Sequence, residues 1–254
     1  MTTSWVFGGS EGIGLAVARR LVERGDAVVV LSRSETKLAA VRAELDTVRT
    51  RAVDVTDLDA VSATVETLVG ELGVPDLVVT TAGYARPGWL DEIPADDLRG
   101  MVDVNLLGTV HVARAVVPHL VDAGRGTLVV TSSLAGLAGV FGYTVYSATK
   151  FGVIGFAEAL RREIAPSGVQ VRVLCPPNTL TPGFATENLH KPAEVLAAEE
   201  KASTLTPEQV ADDLLRALRR RRPHVVVPGR GNRVSAWAIR HLPALVDRAL
   251  RRPG

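Results

Sequence analysis

Near its start the chain reads Gly8-Gly9-Ser10-Glu11-Gly12-Ile13-Gly14, directly after the apolar run Trp5–Phe7 and at the beginning of a helical pattern. In such a strand-loop-helix unit, Gly8 would permit the tight turn, Gly12 would let the backbone approach a pyrophosphate, and Gly14 would let helix and strand pack closely. The N-terminus of the helix attracts the anion. We therefore predict a dinucleotide-binding loop, with cofactor contacts from Gly8, Ser10, Glu11, Gly12, Ile13 and Gly14.

Beyond this loop, apolar runs of strand length alternate with longer stretches of helical spacing. Short runs rich in valine and leucine are typical of strands buried on both faces, with crossover helices between them. The pattern predicts an α/β fold, a single Rossmann-type doubly wound parallel sheet with helices on both faces, over residues 1–254. The predicted strands are Trp5–Phe7, Ala27–Leu31, Arg51–Val55, Leu77–Thr80, Thr127–Thr131, Val169–Leu174 and His224–Val227. The predicted helices are Gly12–Arg24, Glu35–Leu45, Leu58–Leu72, Ala95–Asp122, Tyr143–Ile164 and Pro207–Arg221, the last stopped by Pro223.

The bulk composition limits the kinds of partner. With 46% hydrophobic and 22% charged residues in a length of 254, the chain can bury a sizeable core. Its formal net charge of +1 gives no global attraction to nucleic acid or to a membrane. The basic run Arg219–Arg222 has little aromatic interleaving, so we interpret it as a solvated helix end and expect no nucleic-acid partner.

The cysteine and histidine content and the first residues indicate the cellular compartment and whether a metal ion is bound. Cys175 is the single cysteine of the sequence, so neither a disulfide framework nor a thiolate metal site is expected, and a reducing cytoplasm is the simplest compartment. The first residues lack the basic region of a signal peptide. The five histidines show no metal-ligand spacing, so we expect no bound metal.

The end of the second predicted strand bears on the choice of dinucleotide. NAD sites usually carry an acidic residue there, which binds the ribose 2′-hydroxyl. This chain has Ser32 and Arg33 instead, and a guanidinium forms paired hydrogen bonds with a phosphate. We therefore predict NADP(H), with Arg33 and Ser32 at the 2′-phosphate. The alternative is a solvated arginine ahead of a helix.

A predicted helix carries Tyr146 and Lys150 near its start, and their spacing of four puts phenol and ammonium on one face. A free phenol, with a pKa of about 10, is a poor acid-base group at neutral pH, and we expect the ammonium to lower this pKa by stabilising phenolate. Ser132 and Ser133 end the preceding strand, at the carboxyl edge of the sheet beside the cofactor crevice. These residues predict a site where proton and hydride move together.

The order of these motifs resembles the short-chain dehydrogenase/reductase family over almost the whole chain. The resemblance is carried by residues 8–14, Ala82-Gly83, Asn105, Ser133, Tyr146 and Lys150. It implies an NADP(H)-dependent oxidoreductase that moves hydride between nicotinamide and the carbonyl or alcohol of a small-molecule substrate.

The family pattern also implies roles for single residues. Ser133, thirteen residues before Tyr146, would polarise the substrate oxygen, and Tyr146 would donate the proton in reduction. Lys150 would hold the nicotinamide ribose and tune the tyrosine, while Asn105 would anchor a water relay to the lysine. Further cofactor contacts are implied for Asp54 and Val55 along the adenine, for Ala82, Gly83, Pro176 and Thr179, and for Thr181 near the nicotinamide amide.

Three positions depart from the family pattern. Phe7 stands where threonine is usual, Thr80-Thr81 replaces a pair of asparagines, and Pro177 replaces the glycine after Pro176. These positions bear on scaffold and cofactor-loop hydrogen bonds more than on the reacting groups.

Within the family, the chain is similar to the 3-ketodihydrosphingosine reductases. The similarity rests on residues 176–188, Lys191-Pro192 and Pro207–Ala211, together with residues 135–143 and 156–160. It implies NADPH-dependent reduction of the ketone of a long-chain amino-alcohol precursor of sphingoid bases. Because sites are grafted onto folds, substrate identity transfers less safely than fold. The alternatives are another β-keto compound, acyl or polyketide-like, and a non-catalytic NADP-sensing protein.

Two segments outside the predicted sheet bear on substrate and partners. Residues 180–203 fit a mobile lid in which Phe184 and Leu189 cover an apolar chain. Residues 230–254 have the pattern of a basic amphipathic helix interrupted near Pro243. This tail is expected either to make peripheral contact with a membrane or to pack on the domain or on another subunit. We also expect a homo-oligomer, a dimer or a tetramer.

Overall fold

Seven parallel strands form one sheet in the residues that the computed structural model describes, which are 2–200, 202–220 and 224–251. The strand order is β3-β2-β1-β4-β5-β6-β7. It reverses between β1 and β4, the place where ligands bind in open sheets of this kind. The strands are β1 (Thr3–Phe7), β2 (Ala27–Ser32), β3 (Arg49–Ala52), β4 (Leu77–Thr80), β5 (Thr127–Thr131), β6 (Gln170–Leu174) and β7 (Val225–Val226).

Helices cover both faces of this sheet and connect its strands. The crossover helices are α1 (Gly12–Glu23), α2 (Glu35–Glu44), α3 (Leu58–Leu72), α4 (Ala95–Met101), α5 (Gly108–Asp122), α6 (Thr144–Glu163) and α9 (Pro207–Arg219). The shorter or later helices are α7 (Pro182–Asn188), α8 (Ala193–Glu199), α10 (Arg230–His241) and α11 (Pro243–Ala249).

Side chains of the central strands alternate between two cores, as the pleat of a strand requires. Trp5 and Phe7 pack on the face covered by α3, α5 and α6. Val6 packs on the opposite face, with α1, α2 and α9. All three side chains are fully buried. The predicted fold class, a doubly wound parallel sheet, is confirmed.

The third strand differs from its prediction. It spans Arg49–Ala52 instead of Arg51–Val55 and lies at the edge of the sheet, where none of its residues is buried. Val53 and Val55 follow the strand and are buried in the core, and Val53 N–H donates to Ser32 O of β2 at 3.1 Å. Two buried valines beyond the end of the strand therefore imitate strand residues in the sequence.

The predicted helix Ala95–Asp122 is continuous but changes its winding. A π-helical stretch, Val102–Leu107, joins α4 to α5, and such stretches are frequent at functional sites. By length and composition alone this helix could span a membrane. Its buried side chains, Val112 and Val116 among them, belong to the core beneath the sheet.

The segment after β6, where the sequence predicts a lid, contains α7 and α8. Its two ends are tied together, because Thr179 forms a parallel bridge with Leu205 and Leu180 N–H donates to Leu205 O at 2.9 Å. Helix α9 then begins at Pro207 with a capping box formed by Thr206 and Gln209. The predicted end of this helix at Arg221 and its stop at Pro223 lie outside the described residues.

The tail is helical and interrupted where the sequence predicts. Helix α10 ends at His241, and α11 starts at Pro243. Several apolar side chains on these helices are exposed: Val234 by 67%, Trp237 by 56% and Leu245 by 63%. The last part of the predicted tail, residues 252–254, lies outside the described residues.

Candidate active site

The glycine loop passes through a narrow space between β1 and the end of β4. Gly8 has a φ of +79°, in the left-handed region that favours glycine, and a Cβ there would clash with the backbone of Ala82. A Cβ on Gly14 would clash with the Gly8 carbonyl and with Thr81 Oγ1. The loop therefore requires glycine at both positions to hold this path.

The N-terminus of α1 faces this loop. Its N-cap residue, Glu11, makes no side-chain capping bond, so the first N–H groups of the helix are left for an anion. Glu11 is instead paired with Lys37 Nζ at 2.7 Å on the exposed surface. Lys37 was not predicted as a site residue, although its place in the first turn of α2, just after Arg33, is a signal that could have identified it.

The ends of β2 and β3 hold the residues predicted for the 2′-phosphate and the adenine. Ser10 Oγ donates to Ser32 Oγ at 2.8 Å and so links the glycine loop to the end of β2. Arg33 is exposed, and its guanidinium makes no hydrogen bond or ion pair with a described residue. Hydrogen bonds from Thr56 lower the pKa of Asp54, and the charge of Arg33 lowers it further. Arg33 and Asp54 therefore border one open region.

Two of the predicted cofactor residues are partly built into the scaffold. Ile13 is half-buried and packs on the core beneath α1. Val55 is buried against Gly108, because a Cβ added to Gly108 would lie 2.7 Å from Val55 Cγ2. The carbonyl oxygen of Val55 lies 2.9 Å from His111 Nδ1.

Thr81, one of the departures from the family pattern, donates through Oγ1 to Phe7 O at 3.0 Å. It thus joins the end of β4 to the end of β1.

Asn105, on the π-helical stretch, meets the end of β4. Its Oδ1 accepts from Tyr84 N–H at 2.9 Å, and its Nδ2 donates to Tyr84 O at 2.9 Å and to Thr149 Oγ1 at 3.2 Å. A Cβ on Gly83 would lie 2.9 Å from Asn105 Oδ1 and 3.3 Å from Lys150 Nζ. The structure therefore brings Gly83, Asn105 and Lys150 together, while the water relay through Asn105 stays a prediction.

The two serines at the end of β5 have different surroundings. Ser132 is buried and donates through Oγ to Lys150 O at 2.8 Å. Ser133 Oγ accepts from Ala135 N–H at 3.1 Å, and its hydrogen bond to Tyr146 works to lower the pKa of the phenol. The structure thus places Ser133, rather than Ser132, at the tyrosine.

Tyr146 and Lys150 lie one turn apart on α6. Lys150 Nζ is 5.6 Å from the centroid of the Tyr146 ring and donates to Thr131 O at 3.1 Å. Burial of the ammonium lowers its pKa to about 8. The phenol, the ammonium and the Ser133 hydroxyl therefore converge at the carboxyl edge of the sheet.

The expectation that the pKa of Tyr146 is lowered is wrong. Burial is the largest influence and raises this pKa, the charge of Glu187 raises it further, and the hydrogen bond to Ser133 offsets only part of the rise. The spacing of four takes account of Lys150 alone, whereas desolvation disfavours the phenolate of a buried ring. The phenol is consequently neutral at pH 7 and can donate a proton.

The chain between β6 and α7 closes the other side of the crevice. Pro176 O accepts from Leu134 N–H at 3.0 Å, and Thr179 is buried, with Oγ1 donating to Pro177 O at 2.8 Å. A Cβ on Gly12 would lie 3.0 Å from Thr181 Cγ2. Thr181, which also caps α7, therefore lies against the glycine loop.

A polar cluster that the sequence interpretation missed joins α7 and α8 to the start of α6. We call Tyr143, Glu187, Lys191 and Glu199 the Lys191 cluster. Lys191 Nζ lies 2.5 Å from Glu199 Oε2, 2.6 Å from Asn188 Oδ1 and 3.4 Å from Glu187 Oε1. Tyr143 OH lies 2.5 Å from Glu187 Oε1 and 2.9 Å from Glu199 Oε1.

The Lys191 cluster is next to the reacting groups. The Tyr143 ring centroid is 5.9 Å from that of Tyr146, and Lys191 Nζ lies 3.9 Å from the centroid of the Phe184 ring. In the sequence, the spacing of four between Glu187 and Lys191 was a weak signal of an ion pair. The contacts of Tyr143 with the two carboxylates span 44 and 56 positions, which local spacing cannot indicate.

A separate cleft of about 1090 Å³ lies between α6, α9, β7 and α10. Its lining includes Ile154, Arg216, Trp237 and Arg240, but none of the residues singled out above for chemistry. We place the candidate active site at the sheet edge, because the acid-base groups converge there. Among the described residues, no group of three His, Cys, Asp or Glu side chains is placed to hold a metal ion.

Comparison with known proteins finds the same family along most of the chain. Residues 3–192 match the family described as short chain dehydrogenase. The chain is 37% identical over 215 residues to a 3-dehydrosphinganine reductase of Danio rerio, a match that covers 81% of this chain and 65% of that protein. It is 36% identical over 220 residues to a 3-ketodihydrosphingosine reductase of Bos taurus, with 83% and 66% covered. The chain thus spans just under two thirds of the length of these relatives.

A solved structure gives the same result for the fold. An actinorhodin polyketide ketoreductase variant with NADPH superimposes with a TM-score of 0.78, at 30% sequence identity. The match covers 85% of this chain and 89% of that chain.

Proposed function

The chain belongs to the short-chain dehydrogenase/reductase family, and we propose that it reduces the ketone of a long-chain amino ketone such as 3-ketodihydrosphingosine, with NADPH supplying the hydride. The convergence of Ser133, Tyr146 and Lys150 beside the glycine loop carries this proposal. The substrate follows the names of the relatives at 36% and 37% identity. NADPH is the ligand of the solved ketoreductase that is 30% identical.

Tyr146 acts as the proton donor in this proposal. Its raised pKa keeps the phenol protonated at pH 7, which suits the acid that protonates a developing alkoxide. Ser133 Oγ, hydrogen-bonded at the same phenol, donates to the carbonyl oxygen and helps to hold it there. A ketone oxygen held by both hydroxyls receives a proton as the carbonyl carbon is reduced.

Lys150 stabilises the phenolate that remains after proton donation. Its ammonium, 5.6 Å from the Tyr146 ring centroid, is held by Thr131 O and is buried. In a buried site a charge acts more strongly than it does in water. We also assign the binding of a ribose hydroxyl to this ammonium, which lies 3.3 Å from a Cβ placed on Gly83.

The residues around the glycine loop fit NADP(H). The uncapped N-terminus of α1, together with the tight loop path that Gly8 and Gly14 allow, suits a pyrophosphate. The exposed Arg33 guanidinium suits the 2′-phosphate. We assign the adenine to the region bordered by Asp54, and the nicotinamide amide to Thr181.

The exposed leucines of the lid favour a substrate with a long alkyl chain over a short substrate. It exposes Leu180 by 60%, Leu189 by 79% and Leu196 by 40%, which gives an alkyl chain apolar surface to cover. Each methylene removed from water contributes about 0.8 kcal/mol. Another β-keto compound, acyl or polyketide-like, stays the second candidate, because the matched ketoreductase carries a polyketide name.

The proposal is tested by supplying purified protein with NADPH and 3-ketodihydrosphingosine and following NADPH consumption. We expect turnover that Tyr146→Phe abolishes while NADPH binding is kept. Consumption of NADPH with a short β-keto ester, and none with the long amino ketone, would instead support the second candidate. Binding of NADPH without turnover of any ketone would support the non-catalytic NADP-sensing protein.

We propose that residues 1–254 form one NADP-binding domain with a mobile lid at about 180–203, and that the tail contacts a membrane surface peripherally. The exposed Val234, Trp237 and Leu245, with arginines interleaved, suit an anionic lipid surface. Sedimentation with anionic vesicles tests this contact, and binding only to a second subunit would overturn it. The cytoplasmic location stays a prediction, which cell fractionation would test. The homo-oligomer, a dimer or a tetramer, also stays a prediction, which analytical ultracentrifugation would test.

A further inference from the structure

One carboxylate of the Lys191 cluster has spare capacity to accept hydrogen bonds. Glu199 and Asn188 hold Lys191 Nζ at 2.5 and 2.6 Å, whereas Glu187 is 3.4 Å away. Glu187 Oε1 also accepts from Tyr143. Its Oε2 makes no hydrogen bond with any residue in the described part of the chain. Glu187 therefore holds the buried ammonium less closely than Glu199 does and keeps one carboxylate oxygen as a hydrogen-bond acceptor.

The charges of the cluster do not balance. Two carboxylates surround one ammonium, and the phenol of Tyr143 carries no charge at neutral pH because burial raises its pKa. The Lys191 side chain is fully buried, while those of Glu187 and Glu199 are 16% and 18% exposed. The net negative charge is thus reached through the two carboxylates, whereas Lys191 is shielded.

Glu187 is also the cluster's carboxylate that acts on the reacting phenol. Its charge contributes to the raised pKa of Tyr146. Tyr143, which bonds Glu187, contacts the Tyr146 ring at 5.9 Å between centroids. A group beside the reacting ketone would therefore lie next to Glu187.

We propose that Glu187 binds the ammonium of an amino-ketone substrate and so selects ketones with an amine on the carbon next to the carbonyl. This inference rests on the proposed function and deepens it. A ketone oxygen held about 3 Å from Tyr146 OH places the neighbouring ammonium within a few ångströms of the phenol. The free Oε2 accepts from that ammonium while Oε1 keeps its bond to Tyr143.

The test compares two ketones that differ only in the amine, 3-ketodihydrosphingosine and 1-hydroxyoctadecan-3-one, with NADPH. Glu187→Gln keeps the size of the side chain and the acceptor for Tyr143 but removes the charge. Because a hydrogen bond between two charged groups is lost, we expect kcat/KM for the amino ketone to fall about 10- to 100-fold, mainly through KM. Any effect of the lost charge on the pKa of Tyr146 acts on both ketones alike, so kcat/KM for the amino ketone should fall about tenfold or more relative to that for 1-hydroxyoctadecan-3-one.

Glu199→Gln is the matched control, because Glu199 shares the contacts with Tyr143 and Lys191. It should change kcat/KM for both ketones by one common factor. An equal loss for both ketones in Glu187→Gln, or no loss for either, would overturn the inference and leave the reductase function standing. A wild type that reduces neither ketone would overturn the proposed function and this inference with it.

A measurement on the wild type does not depend on the folding of any variant. We expect the amino diol sphinganine to inhibit at a concentration at least about tenfold lower than octadecane-1,3-diol, which lacks the amine. Equal inhibition by the two diols would contradict a carboxylate that binds the ammonium.

Discussion

Replacing Lys150 by methionine should stabilise the fold while it impairs the enzyme. The ammonium is buried, and burial lowers its pKa from 10.5 to about 8. At 1.36 kcal/mol per pKa unit, keeping the charge in the folded state costs about 3 kcal/mol at pH 7. Methionine removes this cost but loses the hydrogen bond to Thr131 O, which contributes about 1 kcal/mol. The net gain is about 2 kcal/mol.

The sign of the pH dependence follows from the lowered pKa. The folded state binds the proton less tightly than the unfolded state, so the cost is fully present below pH 8 and disappears as the pH rises toward 10.5. The advantage of Lys150→Met over wild type should therefore shrink from about 2 kcal/mol at pH 7 to under about 1 kcal/mol at pH 10.

Calorimetry without added NADPH measures this effect. For a chain of this length, about 2 kcal/mol corresponds to a rise in Tm of about 4–8 °C at pH 7. Lys37→Met is the control, because Lys37 is a half-exposed lysine paired with Glu11 and its removal should leave Tm nearly unchanged. A Lys150→Met variant that melts below wild type at pH 7, or whose advantage is the same at pH 10, would refute this reasoning.

The remaining predictions concern activity. Tyr146→Phe should lower kcat by about 10²- to 10⁴-fold, because the proton donor is lost, with NADPH affinity measured by fluorescence titration nearly unchanged; turnover close to wild type would remove Tyr146 from its role. Arg33→Asp should weaken NADPH by about 10- to 100-fold and NADH much less, since a contact with the 2′-phosphate becomes a repulsion; a wild type that already prefers NADH would contradict this. Phe184→Ser should reduce kcat/KM for long ketones more than for short ones, since it removes apolar cover from the lid; equal losses across chain lengths would show that the ring does not contact the alkyl chain.

Much of the fold could be predicted because its signals are local. The glycine spacing of residues 8–14 and the apolar periods can be recognised within short windows of sequence, and the strand Leu77–Thr80 and the helix Leu58–Leu72 begin and end as predicted. The π-helical stretch around Asn105 was missed, because a change in winding alters hydrogen bonds without changing the apolar period. The edge strand was shifted toward Val53 and Val55, because two buried valines beyond the end of the strand resemble strand residues.

The site was less predictable than the fold, for a different reason. The spacing of Tyr146 and Lys150 shows that the two groups share a helix face, but it carries no information about burial. The pKa of Tyr146 therefore moved in the direction opposite to the expectation. The Lys191 cluster depends on contacts of Tyr143 with Glu187 and Glu199 across 44 and 56 positions. Only the folded chain brings these residues together.

Transfer of deuteride from 4,4-dideuterated NADPH to 3-ketodihydrosphingosine tests the proposed function most directly. We expect mass spectrometry of the product to show one deuterium on the carbon that carried the ketone, with wild type and not with Tyr146→Phe. The same label from 4,4-dideuterated NADH should be incorporated far more slowly. An unlabelled product, or no alcohol from the long amino ketone while a short β-keto ester is readily labelled, would contradict the account.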